Sequence, residues 1–241
     1  MKILSIGNSF SQDATRYLHD LAKSQGERLK VVNLCIGGCS LKMHYYHMLE
    51  HDPAYMFEFN GEFTRIKVSI KQALMSDDWD YITLQQVSHQ AGCYETYQPY
   101  LNQLAEFVRK YCPHSKIYIH QTWAYEEGSA RLTEELGYKC AADMFRDIEG
   151  AYKRAAEAIH ADGIIPSGDL MLRLAGSGIG KVHRDTFHAK FGVGRFALAL
   201  LWYAMFTGRD IQEVTFREFD EPVTEEQIEV IKRTVQEVCG K

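Results

Sequence analysis

The sequence predicts an α/β fold, a three-layer α/β/α sandwich around a five-stranded parallel sheet. Short apolar runs of strand length alternate with longer segments whose apolar residues recur at helical spacing. Several of the runs stop at glycine or proline, as Ile3–Ile6 does at Gly7-Asn8 and Lys30–Ile36 at Gly37-Gly38. The intervening segments are long enough for the crossovers that parallel pairing requires, and they cover both faces of the sheet with helices.

The first strand candidate, Ile3-Leu4-Ser5-Ile6, leads into Leu18, Leu21 and Ala22 at helical spacing, so the chain opens strand, turn, helix. The second is Lys30–Ile36, β-branched and apolar. Tyr81–Leu84 and Lys116–His120 follow, and Gly163-Ile164-Ile165 is a weaker fifth, ended by Pro166. Helical patterns cover 63–75, 97–111, 142–161, 190–207 and 223–238. The most apolar stretch, Phe196–Phe206, is too short to span a bilayer and reads as a buried helix. Residues 42–62, rich in His, Tyr, Phe and Met, read either as a packed insertion or as a lid or specificity wall on a single domain over 1–241.

Composition narrows the function classes. The chain has 241 residues, 46% hydrophobic and 24% charged, with only 5 Pro, which excludes disordered and collagen-like architectures. A formal charge of −5 with both signs intermixed makes nucleic acid a poor partner. The six cysteines form no CxxC pair and no dense framework, so thiols in a reducing, cytoplasmic compartment are expected. No stretch reaches the ~18 apolar residues of a membrane span, and Met1-Lys2-Ile3-Leu4 running into a strand leaves no room for a leader peptide.

In parallel α/β sheets ligands bind beyond the carboxyl ends of the strands. After the first strand stands Gly7-Asn8-Ser9-Phe10-Ser11, where a serine hydroxyl lies near a helix N-terminus whose N–H groups favour developing negative charge. That suits a nucleophile, although Ser9 or Ser11 equally suits a helix cap. Late in the chain, Asp185-Thr186-Phe187-His188 lets one carboxylate hold an imidazole from a single short segment, with His183 as a rival base. Trp123 and Tyr125 follow the fourth strand, where an aromatic can stack on a sugar, line an acyl pocket or simply close the core; Tyr45, Tyr46 and His89 are weaker candidates of the same kind.

Gly7-Asn8-Ser9-Phe10 resembles the first block, Gly-Asp-Ser-Leu, of the SGNH or GDSL-type hydrolases, and Asp185-x-x-His188 resembles their last. Gly37-Gly38-Cys39-Ser40 is similar to the second block, whose glycine N–H serves an oxyanion hole, and Gly38 matches by order. The third block departs, because Leu84-Gln85-Gln86-Val87-Ser88-His89 lacks the usual Gly-x-Asn-Asp. Carbohydrate-esterase branches carry Gln-Gly-Glu there, so by order Gln85 matches the glutamine, with Gln86 as the alternative. Asn8 for Asp removes a charge while keeping a hydrogen-bonding side chain.

The resemblance implies a flavodoxin-like sandwich and a serine esterase that needs no cofactor. Its catalytic residues would be Ser9, Asp185 and His188, with an oxyanion hole from Ser9, Gly38 and Gln85, and with Trp123, Tyr125, Gln86 and His89 around the substrate. The partner would be a small-molecule ester such as an acetylated carbohydrate. A thioesterase or lysophospholipase-like hydrolase is the alternative if 42–62 forms a long apolar groove, and a non-catalytic carbohydrate-binding protein if the departure in the third block is decisive. His44, His47 and His51 would share a helical face, but without HExxH or a placed carboxylate they do not indicate a metal. Gly176–Lys181 lacks the Walker spacing and reads as a loop feeding the Asp185 segment.

Overall fold

The structure, a computed structural model, describes residues 1–240. Its sheet has seven strands, β1 (Lys2–Gly7), β2 (Lys30–Cys35), β3 (Tyr55–Phe59), β4 (Glu62–Val68), β5 (Tyr81–Leu84), β6 (Lys116–His120) and β7 (Gly163–Ile165), in the order β4-β3-β2-β1-β5-β6-β7. The five expected strands are the parallel ones, β2-β1-β5-β6-β7, and their order is that of flavodoxin-like sheets. Their near-continuous burial fits a sheet covered on both faces; Ile3, Leu4, Val31, Val32, Ile82 and Leu84 are each within a per cent of full burial.

The sheet is larger than the five strands expected, and the addition lies in β3 and β4. The helical spacing of Phe63, Ile66 and Ile70 predicts one helix over 63–75; instead β4 takes the first part of that stretch, to Val68, as an exposed antiparallel edge, and only Ile70–Leu74 is helical. The turn joining β3 and β4 is Asn60-Gly61, both at positive φ (52° and 85°), the conformation that a two-residue hairpin turn demands. Residues 42–62 hold nearly all of a helix over Leu41–Glu50, strand β3 and the turn into β4, and so contribute to the widened sheet.

Among the described residues nine α-helices surround it: α1 (Ser9–Thr15), α2 (Leu18–Ser24), α3 (Leu41–Glu50), α4 (Ile70–Leu74), α5 (Tyr100–Tyr111), α6 (Ala141–Ala158), α7 (Ser167–Gly176), α8 (Val193–Thr207) and α9 (Glu225–Val238). Helix α8 packs on α1, α2 and α9, while α3, α4 and α5 pack together and α6 lies on β6 and β7. Caps set several helix starts: Asn8 for α1, Ser40 for α3, and capping boxes from Ser69 for α4 and Thr224 for α9. Helix α8 is buried nearly all round, including Phe196, Leu200 and Trp202, as its uniform apolarity requires. Among the described residues no helix is long and apolar enough to cross a membrane.

This architecture gathers the loops after β1, β2, β5 and β6 at one end of the sheet. The Asp185 segment joins them from the other half of the sequence. Rather than beginning a helix, residues 182–190 fold as a short hairpin bridged at His183 and Ala189, and α8 begins only at Val193.

Candidate active site

At the N-terminus of α1 the Ser9 hydroxyl lies 2.8 Å from Nε2 of His188, and Nδ1 of the same imidazole lies 2.8 Å from Asp185 Oδ2. Asp185 Oδ1 also accepts the His188 backbone N–H at 2.9 Å, so the carboxylate grips both ring and main chain of the residue three places on. Burial pushes the Asp185 carboxyl upward, but the hydrogen bonds from His188 and the charge of Arg184 outweigh it and hold it below its ordinary value. The turn between them is tight: Thr186 takes φ of 75°, a left-handed conformation unusual for a β-branched residue, and its carbonyl is anchored by the Glu126 N–H at 2.7 Å.

Ser9 and His188 open into a cleft of about 370 Å³ that is also lined by Asn8, Phe10, Gly37, Gly38, Val87, Ser88, His89, Tyr125, Arg131 and Phe187. Gly38 occupies the third position of a turn closed by Cys39 N–H to Ile36 O, and its φ of 66° is the value that turn reserves for glycine. Among the described residues neither the Ser9 nor the Gly38 N–H has a hydrogen-bond partner. Both are donors available to an oxyanion.

Gln85 is placed differently from the oxyanion role expected of it. It lies beneath the cleft, with Nε2 donating to Asn8 Oδ1 at 2.7 Å and Oε1 facing His120 Nδ1 at 2.8 Å. Because Oε1 is an acceptor, His120 Nδ1 carries the proton, and Nε2 accepts from Ser167 Oγ at 3.1 Å. Burial pushes the His120 pKa down to about 3, which keeps that ring neutral. Asn8 completes the relay by donating Nδ2 to Cys39 O at 3.1 Å and accepting the Phe10 N–H at 3.0 Å. A buried polar chain thus runs across the sheet from α7 to the loop after β2, fixing the turns that carry Ser9 and Gly38.

The relay explains the asparagine at position 8. A carboxylate there could accept from Gln85 but could not donate to the Cys39 carbonyl. Asn8→Asp is expected to lower unfolding free energy by about 1–3 kcal/mol, for a buried acceptor left against another acceptor. Thermal melting checks this, and an unchanged midpoint would contradict the relay.

Gln86 is also removed from the cleft. It is fully buried, its Oε1 accepting the N–H groups of Leu41 and Val87 and its Nε2 donating to Thr96. Trp123 is likewise inside the core, at 0% exposure, stacked on Phe10 with ring centroids 4.1 Å apart. Its Nε1 donates to the Phe187 carbonyl at 2.7 Å, so it supports the residue before His188 and does not offer a face to substrate. Tyr125 and His89 do reach the cleft, Tyr125 with its hydroxyl 2.9 Å from Ser88 Oγ. His183 turns away, its Nε2 donating to Ala124 O at 3.1 Å, and lines a separate cleft of about 420 Å³ that contains no serine–histidine pair.

None of residues 42–62 lines the Ser9 cleft. Tyr45 and Tyr46 pack on one another on α3, Tyr45 also against Tyr100. The histidines of α3 diverge: His44 is buried on Tyr55, with burial pushing its pKa down to about 3, His47 pairs with Asp52, and His51 sits against Phe107. His47, Glu50 and Asp52 bring possible ligand atoms within 4.8 Å of one another at the exposed end of α3, away from the cleft.

Sequence reasoning missed Asp13, one turn beyond Ser9 on α1. It is fully buried and accepts from Arg184 Nη1 at 2.8 Å, Arg195 Nε at 2.8 Å and the Ala189 N–H at 3.2 Å. The carboxylate ties the serine helix to the hairpin that carries the histidine. An acidic residue four places from Ser9, on the inward face of an amphipathic pattern, is the signal that could have marked it.

A family profile described as a domain of unknown function, DUF4886, matches residues 2–237. Among curated proteins none matches the chain. Among solved structures, a DUF4886 family protein from Bacteroides uniformis is 31% identical with a TM-score of 0.93, covering 99% of this chain and 94% of its own. A proposed SGNH hydrolase from Slackia heliotrinireducens is 23% identical with a TM-score of 0.60, covering 84% and 97%. A member of the lipolytic G-D-S-L family from Veillonella parvula is 14% identical with a TM-score of 0.53, covering 86% and 98%. The last two likenesses show that the sheet and its helices have the SGNH-type fold. By its match along nearly its whole length, the chain belongs to the DUF4886 family.

Proposed function

We propose that this protein is a serine esterase that removes a small acyl group such as acetyl from a carbohydrate or related hydroxyl compound. The observation that carries the reading is the continuous Ser9–His188–Asp185 contact inside a cleft that presents the free Ser9 and Gly38 N–H groups.

In this reading His188 Nε2 takes the Ser9 proton as Oγ bonds to the ester carbonyl carbon, and the carbonyl electron pair moves onto oxygen, where the Ser9 and Gly38 N–H groups receive it. Collapse expels the alcohol oxygen, which takes the proton from His188. Water then repeats the sequence on the acyl-serine and releases the acid. Asp185 holds Nδ1–H and stabilises the imidazolium without taking its proton. No step calls for a cofactor.

A cleft of about 370 Å³ with no contribution from 42–62 favours a short acyl chain over the long groove of a thioesterase or lysophospholipase. In a series of para-nitrophenyl esters, kcat/KM should be highest for acetate and fall as the chain lengthens; a maximum at long chains would favour that alternative. A fluorophosphonate should label Ser9 and should fail to label Ser9→Ala or His188→Ala. Absence of labelling together with tight sugar binding would favour the non-catalytic reading. Cys35, Cys39, Cys93, Cys112 and Cys140 are free thiols, which supports a reducing, cytoplasmic setting.

A further inference from the structure

Arg131 begins the π-helical turn Arg131–Glu135 that follows the loop after β6, and it lines the same cleft as Ser9, Gly38 and His188. Its guanidinium carbon stands 4.2 Å from the centroid of the Phe187 ring, and that ring is 3.9 Å, centroid to centroid, from the His188 imidazole. The stack holds the guanidinium plane while leaving its edge N–H groups unspent: among the described residues Arg131 makes no ion pair and no side-chain hydrogen bond, not even with Glu135 on its own turn. Of the other cleft residues, Asn8, Phe10, Val87, Ser88 and Tyr125 carry no charge at neutral pH, and the neighbouring Asp185 carboxylate is already taken up by His188. A planar, unpaired guanidinium resting against the ring that neighbours the His188 imidazole is the fork that binds a carboxylate in two parallel hydrogen bonds.

The sheet order says which half of an ester would meet it. Gly38 follows β2 on one side of Ser9, whereas Arg131 follows β6 on the other, across β5. An acyl oxygen directed at Gly38 leaves the alcohol oxygen beside His188 Nε2, on the side flanked by Phe187 and Arg131. We propose that Arg131 is an anion-recognition residue and that the alcohol half of the substrate carries a carboxylate, as in an acyl ester of an acidic sugar or another hydroxy acid. This rests on the esterase reading of Ser9 and His188.

The test compares para-acetoxybenzoate with its neutral counterpart para-acetoxybenzamide. Wild type should favour the anion in kcat/KM by about tenfold, the scale of a charge-assisted hydrogen-bond pair. That ratio should collapse toward one in Arg131→Ala and be partly kept in Arg131→Lys, whereas a merely structural loss would lower both rates and leave the ratio intact. A wild type without discrimination, or a ratio preserved in Arg131→Ala, overturns the proposal. An Arg131-dependent preference for the para-nitrophenyl monoester of succinic acid over the butyrate would place the anion on the acyl half and overturn the assignment to the alcohol. If neither acetyl ester is turned over, the esterase reading fails separately, and the anion site is read by ligand-detected NMR with para-hydroxybenzoate against para-hydroxybenzamide. Selective binding of the anion by wild type and not by Arg131→Ala supports the site, and equal or absent binding overturns it.

Discussion

Ser9→Ala is expected to lower kcat/KM toward a small acetyl ester by about 10⁴-fold or more, the scale lost when a triad nucleophile is removed. What remains would come from the Ser9 and Gly38 N–H groups, which the substitution leaves in place. The hydroxyl makes one part-buried hydrogen bond, to His188, so the thermal midpoint should move by no more than the equivalent of about 1 kcal/mol. Steady-state kinetics beside a melting curve separates the two effects. Activity equal to wild type would remove the mechanism. A companion variant, Asp185→Asn, should cost about 10²–10⁴-fold, because an amide in that place favours the wrong imidazole tautomer.

Asp13→Ala should produce the largest loss of stability in the molecule's polar interior. Its carboxylate is fully buried and is the shared partner of Arg184 and Arg195, while Arg195 retains Asp220 at 2.8 Å and Arg184 retains the Ala189 carbonyl and a 4.0 Å approach to Asp185. Removing one member of a buried charge cluster costs about 3–5 kcal/mol, since the remaining charges stay desolvated. For a chain of this size each kcal/mol corresponds to roughly 2–4 °C, so the midpoint should fall by about 10 °C. Activity should fall as well, because the Ala189 N–H that anchors the residue after His188 loses its acceptor. The conservative change Asp13→Asn keeps an acceptor oxygen and should recover part of both. A melting point within about 2 °C of wild type in Asp13→Ala would show that the cluster does not hold the hairpin to α1.

The parallel sheet was legible because each of its strands is a short apolar run stopped by a turn signal, a property of neighbouring residues. The same holds for α8, whose unbroken apolarity leaves it no exposed face. Edge strand β4 was not legible from periodicity, since a strand exposed on both faces has no reason to alternate; Asn60-Gly61 was the stronger sign and was there to be read. The serine, the aspartate and the histidine stood at strand ends and in one short segment, where local spacing carries information. Side-chain direction did not follow from position: Trp123 lies beyond the right strand but turns inward onto Phe10, and Gln85 is held under the cleft by His120 and Asn8, each contributed by a different strand end. Asp13 and Arg131 owe their settings to residues more than fifty positions away, beyond the reach of any pattern window.

The hairpin that supplies His188 is clamped to α1 by Asp13 only after the chain has run through some 180 intervening positions. On the proposed mechanism, a ribosome-bound chain halted before that hairpin emerges would hold the Ser9 hydroxyl without its proposed base and would not turn over an ester. If the proposed mechanism holds, hydrolysis would begin only once the hairpin has docked on α1, and the rate at which activity returns during refolding would time that docking.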